Sequence, residues 1–354
     1  MKDLDPEGKE PGRRGVEERK TPLILPFQEE AIAGPVYRRK PEGLRIIALG
    51  GGKGGVGRTV LAANIGIYLA QAGKKVVLVD ADLGGANLHT CLAMEIPALN
   101  LSDFLAGRVK HVEEVAQATT IAGLSFIAGS RELGSTNPKH PQKLRFLEKI
   151  RTMEVDFVIL DLAAGTSFST LDFFLAADRG VLVVVPEPTS IEAGYRFLES
   201  AFFRDLYSPG IHEGEAPWTR KLLEIVAQRG GEKLSTPLEL AAEVGAQDLE
   251  SGRFVRRRLA RFRPYLLVNQ ARTTADGRLP EAIRSVCRRR FGIELETLAP
   301  VEYDDAVWMS VRRRRPLLLE YPESPATKSI VALARRLMAV QAPQTPADAA
   351  PSGG

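Results

Sequence analysis

The chain has 354 residues, long enough for one large α/β domain with appendages, and its 44% hydrophobic and 26% charged content is ordinary for a soluble globular protein. No apolar run reaches transmembrane length, and no secretory signal peptide is expected, because the first 20 residues are charged and contain two prolines. Two distant cysteines, Cys91 and Cys287, exclude a disulfide framework and fit a reducing cytoplasm, and four scattered histidines lack the spacing of a structural metal site.

Residues 1–43 are charged and proline-punctuated, the composition of a disordered extension. Within them Pro22-Leu-Ile-Leu-Pro-Phe27 is an apolar island. It reads either as a segment that docks on the body or a partner, or as an incidental apolar stretch in a tail. From residue 44 the pattern alternates strand and helix. Short runs rich in Val, Ile and Leu predict buried strands at 45–49, 75–79, 124–128, 157–161, 180–185, 264–269 and 294–299. Leu61, Ile65 and Leu69 recur at helical spacing after Thr59, and Gly73 ends that run. Ser102 is expected to cap a short helix at 103–107. Between 207 and 263 the strand rhythm breaks, which predicts a helical insertion where a partner binds. There Thr236-Pro-Leu-Glu239 is a capping box with proline at the first helical position, and Gly245 is the expected stop. A last helix at about 327–340 places Ile330, Leu333, Ala334 and Leu337 on one face. The residues from Gln341 to Gly354 read as a disordered tail. The alternation predicts an α/β fold with a doubly wound, mostly parallel sheet whose ligands bind at the carboxyl ends of its strands.

The most informative stretch lies between the first strand and the first helix: Gly50-Gly-Gly-Lys-Gly-Gly-Val-Gly-Arg-Thr59. It matches the phosphate-binding P-loop pattern, with Arg58 where lysine is expected. Glycines let successive N–H groups turn toward one anion, and the helix that follows adds its positive end. Residues Gly52, Lys53, Gly54, Gly55, Val56, Gly57, Arg58, Thr59 and Val60 are therefore the candidate triphosphate-binding set. The Thr59 hydroxyl is a candidate Mg²⁺ ligand. Asp161, at the end of an apolar strand, is expected either to meet Mg²⁺ through water or to cap a turn. Asp80 and Asp82 follow another apolar strand, where they are either site residues or turn formers; they are expected on opposite sides of the strand end.

Lys53-Gly-Gly-Val-Gly-Arg-Thr59 resembles the deviant Walker A loop of the MinD/ParA family of P-loop ATPases. Further blocks resemble the family in order: Val76 to Leu88 its second strand and first switch, Phe157 to Asp161 its Walker B strand, and Leu162-Ala-Ala-Gly165 its second switch. Val181 to Pro188 resembles the next strand with its Pro-Glu turn, and Tyr265-Leu-Leu-Val-Asn269 the strand whose asparagine lies near the base. The string Asp82-Leu-Gly-Gly-Ala-Asn-Leu-His89 is most similar to the FlhG/FleN branch. The resemblance implies ATP and Mg²⁺ as cofactors, Asp82 orienting the attacking water, Asp80 near the metal and Asn269 near the base. It also implies that Lys53 reaches the partner's nucleotide in an ATP-dependent homodimer, with an activating protein partner.

Arg58 keeps the positive charge of the lysine it replaces but is planar and bidentate, so binding is expected to survive while fast hydrolysis is in question. Two readings follow: a slowly hydrolysing dimerisation switch that positions cargo or machinery, and a nucleotide-binding module with little turnover. A third is a metabolic P-loop enzyme of related fold, such as a ligase or a nitrogenase-like reductase; reductase-type members need paired cysteines that Cys91 and Cys287 do not supply. Arginine clusters at 256–263, 288–290 and 312–315 permit nonspecific DNA contact or are a solvated surface. Membrane attachment through a C-terminal amphipathic helix is not expected, because the sequence after the last helix carries no apolar stripe.

Overall fold

The computed structural model describes residues 43–129, 138–207, 221–222, 224–225 and 236–339. The expectations for the tail at 341–354, and for all of the N-terminal extension but Gly43, lie outside these residues. Eight strands form one sheet: β1 Arg45–Gly50, β2 Val76–Ala81, β3 Ala116–Ala118, β4 Leu124–Ile127, β5 Phe157–Leu162, β6 Arg179–Val184, β7 Tyr265–Val268 and β8 Glu296–Thr297. Their order is β3-β4-β2-β5-β1-β6-β7-β8, parallel throughout except where β3 runs antiparallel to β4. All seven predicted strands are present. The unpredicted β3 is Ala-Gln-Ala on the sheet edge, too short and too exposed to leave a hydrophobic signal.

The central strands are buried along almost their whole length, as a sheet covered on both faces requires. Helix α1 (Arg58–Gln71) and the short α2 (Leu88–Cys91) cover one face, whereas the short α3 (Leu101–Leu105) packs on the opposite one. Helices α4 (His140–Ile150), α5 (Phe168–Ala176) and α6 (Pro188–Leu206) cover the other. A helical pair, α7 (Pro237–Gln247) and α8 (Leu249–Arg261), packs on α6. The chain closes with α9 (Leu279–Val286), α10 (Asp305–Arg312), α11 (Leu317–Glu320) and α12 (Pro325–Ala339). Helix α12 lies against α1 and buries the predicted stripe Ile330, Leu333, Ala334 and Leu337. Asn64 on α1 accepts the Leu318 N–H at 2.8 Å, fixing α11 to the same layer.

Two local expectations change. The short helix after residue 100 is capped by Asn100, whose side chain accepts from Ser102 N while Asp103 closes the box, so it starts two residues earlier than Ser102 implied. Gly245 does not stop α7, which runs to Gln247. A Cβ on Gly252 would stand 2.4 Å from the Gly245 Cα, so this glycine pair serves close helix packing. The Thr236 capping box and the proline after it form as predicted.

The face opposite α1 holds a buried ionic knot. Asp172 on α5 accepts from Arg204 Nε of α6 at 2.7 Å and pairs with Lys143 Nζ of α4 at 2.8 Å. Both cations are almost fully buried. Removing the shared carboxylate strands two charges away from water. Asp172→Ala is expected to cost about 3–5 kcal/mol of unfolding free energy. Urea denaturation checks this; a loss near zero would show that the knot relaxes to solvent.

Candidate functional site

Strands β2, β5, β1, β6 and β7 all point the same way, so the turns that follow them gather at one edge of the sheet. The glycine loop sits at its centre, leaving β1 at Gly50 and entering α1 at Arg58. A Cβ on Gly52 would lie 2.2 Å from the Ala193 carbonyl of α6, so only glycine fits. Gly57 has φ +89° and would drive a Cβ within 2.5 Å of Asn269 Nδ2. That amide donates to the Val56 carbonyl at 2.8 Å, while the Asn269 N–H is held by Val184 O at 2.8 Å. Asn269 thus braces the loop from β7. The first turn of α1 has neither a side-chain cap nor an acidic residue, leaving its amide end open to an anion. Gly165, after β5, donates its N–H to Gly51 O at 3.1 Å and so ties that turn to the loop.

Asp80 and Asp161 are direct partners in the β2/β5 register. Both are buried. Burial above all, with mutual repulsion, pushes the Asp161 carboxyl up to about 8 against its ordinary 3.8, opposed by a hydrogen bond from the Thr59 hydroxyl and by the Arg58 charge. Asp161 Oδ1 is buried with no hydrogen-bond partner among the described residues. A hydroxyl, a carboxylate with an unused oxygen and an open amide cradle suit a hard cation carried in on phosphate oxygens. Asp80, expected near the metal, also has a structural task. Its oxygens accept the N–H groups of Asp82 at 3.2 Å and Leu88 at 2.9 Å, which shapes the loop from 82 to 87. Its carboxyl is also raised, chiefly by burial.

Asp82 lies just past the end of β2, half-exposed. Residues two apart share a face of a strand, so the expectation of opposite sides fails. Instead the backbone turns after Ala81, and Asp82 Oδ1 accepts from Gly84 N at 3.1 Å and Gly85 N at 2.8 Å. Cys91 is buried close by. Its thiol is pushed up to about 12, mostly by burial and then by Asp161 and Asp80, so it offers no thiolate.

The two loop cations are both engaged. Arg58 is buried, and its guanidinium donates from Nη1 to Lys53 O at 2.8 Å and from Nε to Leu162 O at 3.1 Å. It therefore staples the loop to the last residue of β5. Burial lowers its pKa while Asp161 and Asp82 act to raise it. Lys53, at the exposed rim, pairs with Glu187 and donates to Thr189 Oγ1 at 2.9 Å, both at the start of α6. The residue pattern gave no separate signal for Glu187 as a partner of Lys53; what was legible was the Pro186-Glu187-Pro188 turn at the end of β6.

Beside the loop lies a cavity of about 240 Å³ whose walls include Gly57, Val60, Asn269, Gln270, Tyr303 and Trp308. It brings together three predicted residues and adds Gln270, Tyr303 and Trp308, which composition alone did not single out. The Arg272 guanidinium stacks on Tyr303 at 3.7 Å. A flat, mostly apolar base fits this place next to the phosphate cradle.

The Asp161 shift has a sign that can be tested on nucleotide-free protein. The folded chain holds a proton that the unfolded chain releases above its ordinary value of 3.8. Its stabilising effect is complete below that value and is lost as pH rises through about 8. Thermal unfolding across that window is expected to show a Tm that falls with rising pH, and a flatter profile in Asp161→Asn. Identical profiles in the two proteins would remove Asp161 as the source.

A protein-family model described as an AAA domain matches residues 44–201. The antiactivator FleN of Pseudomonas aeruginosa is 25% identical over 86% of this chain and 89% of its own length. The septum site-determining protein MinD of Bacillus subtilis is 29% identical over 43% of this chain, and the match spans 57% of that protein. Among solved structures, MinD of Pyrococcus horikoshii complexed with Mg-ADP aligns with a TM-score of 0.56 at 21% identity, covering 83% of this chain and 96% of its own. A ParA family ATPase from Chlorobium tepidum aligns with the same TM-score at 18% identity, covering 83% of this chain and 99% of its own. The structural likenesses carry the fold; together with the loop, the Asp161 strand and the sequence likenesses, they support a P-loop ATPase of the MinD/ParA type, similar to FleN.

Proposed function

We propose that the protein is an ATP-binding, slowly hydrolysing dimerisation switch that positions cellular cargo or machinery and is stimulated by a protein partner. The observation that carries this reading is the Thr59–Asp161 pair, with its unused buried oxygen, directly behind an open glycine cradle. The loop amides and α1 would hold the phosphates, and Asn269 would fix the loop beside the base cavity. Thr59, with Asp161 behind it, would hold Mg²⁺, which supplies charge neutralisation at the phosphates. Asp82 stands at the mouth of the site, where it would orient a water. The MinD structure solved with Mg-ADP supports the cofactor choice.

Lys53 sits at the rim in a pair that solvent reaches, so a partner's phosphates can compete for it. Light scattering of the purified protein with Mg²⁺ and ATP is expected to give twice the mass found with ADP. Lys53→Ala is expected to stay monomeric with ATP while Trp308 fluorescence still reports binding. Equal mass in both nucleotides would overturn the switch.

The second reading, a nucleotide-bound module with little turnover, rests on Arg58, whose guanidinium is committed to two backbone carbonyls. A compact lysine cannot hold both and would be released toward the phosphates. Arg58→Lys is expected to raise single-turnover hydrolysis about tenfold or more, on the scale of one stabilising charge contact in the transition state. Equal rates in the two proteins would leave the switch reading in place and remove the module. Nonspecific DNA contact would fall to the exposed arginines at 288–290 and 312–315; Arg258 of the first cluster is buried against Asp205.

A further inference from the structure

The opposite edge of the sheet, where the parallel strands begin, holds a second cleft. It encloses about 220 Å³ between the ends of α5 and α8 and the starts of β6 and β7. Phe174, Leu175, Phe262 and Pro264 give it apolar walls. Its carboxylates are engaged: Asp178 accepts the Ile46 N–H, and Asp205 pairs with Arg258 at 3.1 Å. The rim carries Arg261 and Arg263. The cleft is therefore greasy inside and cationic outside. It lies at the far end of the strands from the phosphate cradle, so the nucleotide does not account for it.

The entry point of the chain is at this rim. Asp178 N–H bonds to Ile46 O at 2.9 Å and Asp178 lines the cleft, so the N-terminal residues join the body a few residues away. Those residues contain the apolar island Pro22–Phe27, followed immediately by Gln28, Glu29 and Glu30. An apolar stretch with acidic residues at its end is the complement of an apolar cleft with a cationic rim. The intervening residues 31–42 can span up to about 40 Å, so reach is no obstacle. A tethered segment meets its site at an effective concentration on the order of millimolar, enough to fill a shallow pocket without high intrinsic affinity.

We propose that this cleft is the seat of the chain's own residues 22–30, with Leu23 to Phe27 among the Phe174 and Phe262 rings and Glu29 and Glu30 against Arg261 and Arg263. The test uses the full-length protein carrying Ile24→p-benzoylphenylalanine. After irradiation, cross-links are expected within single chains, on peptides containing 174–180 or 258–264. Charge reversal by Arg261→Glu with Arg263→Glu is expected to lower the yield at least fivefold, and adding Glu29→Lys with Glu30→Lys to restore it. The restoration distinguishes recognition from a damaged fold. Cross-links elsewhere, only between chains or absent would overturn the proposal, as would a yield that ignores the charge exchange. Because the cleft is remote from the loop, nucleotide-dependent mass is a separate readout, and either result can fail alone.

Discussion

Two carboxylates placed side by side in the driest part of a parallel sheet set the terms for the whole functional edge. The β2/β5 register leaves Asp80 and Asp161 no choice but to be neighbours. Burial penalises both charges, and the Asp80 carboxylate raises Asp161 further. The fold resolves this asymmetrically. Asp80 is satisfied by backbone N–H groups and becomes part of the scaffold of the next loop. Asp161 receives the Thr59 hydroxyl and keeps an oxygen in reserve. On the proposed reading, a cation arriving with the triphosphate would offset that repulsion.

Much of this was readable in the residues. The parallel core announced itself because strands buried on both faces must be continuously apolar, and the order of motifs put the loop, Asp82 and Asp161 at strand ends. Asn269 stood out only through resemblance, yet its brace on Val56 gives that resemblance a mechanical reason. Other features were invisible. β3 is a three-residue edge strand with no hydrophobic pattern. Gly245 looked like a terminator because a sequence shows backbone freedom but not the neighbour that demands a missing side chain. The base cavity draws Tyr303 and the α10 residue Trp308 from far along the chain, and only the folded sheet brings them to Gly57. The different fates of Asp80 and Asp82 depend on where the backbone turns after Ala81, which no periodicity encodes.

Arg58 shows how a substitution can change a residue's occupation without changing its charge. A guanidinium has donors in a fixed plane, and in this loop that plane meets two carbonyl oxygens. The result is a link between the phosphate loop and the end of β5, just before the turn that Gly165 ties to Gly51. The loop is thereby shaped in advance, and pre-shaping favours binding over motion. On the proposed reading, a loop held this firmly would favour slow turnover.

The Lys53–Glu187 pair has a consequence for how the protein senses its surroundings. It is a surface pair, and salt weakens such pairs readily. On the proposed reading, that pair competes with the bridge Lys53 makes to a second subunit. Moderate ionic strength then loosens the internal tie along with the external one, and the two effects partly cancel. Assembly through Lys53 would be buffered against the ionic fluctuations of its medium, unlike most contacts built on one exposed lysine.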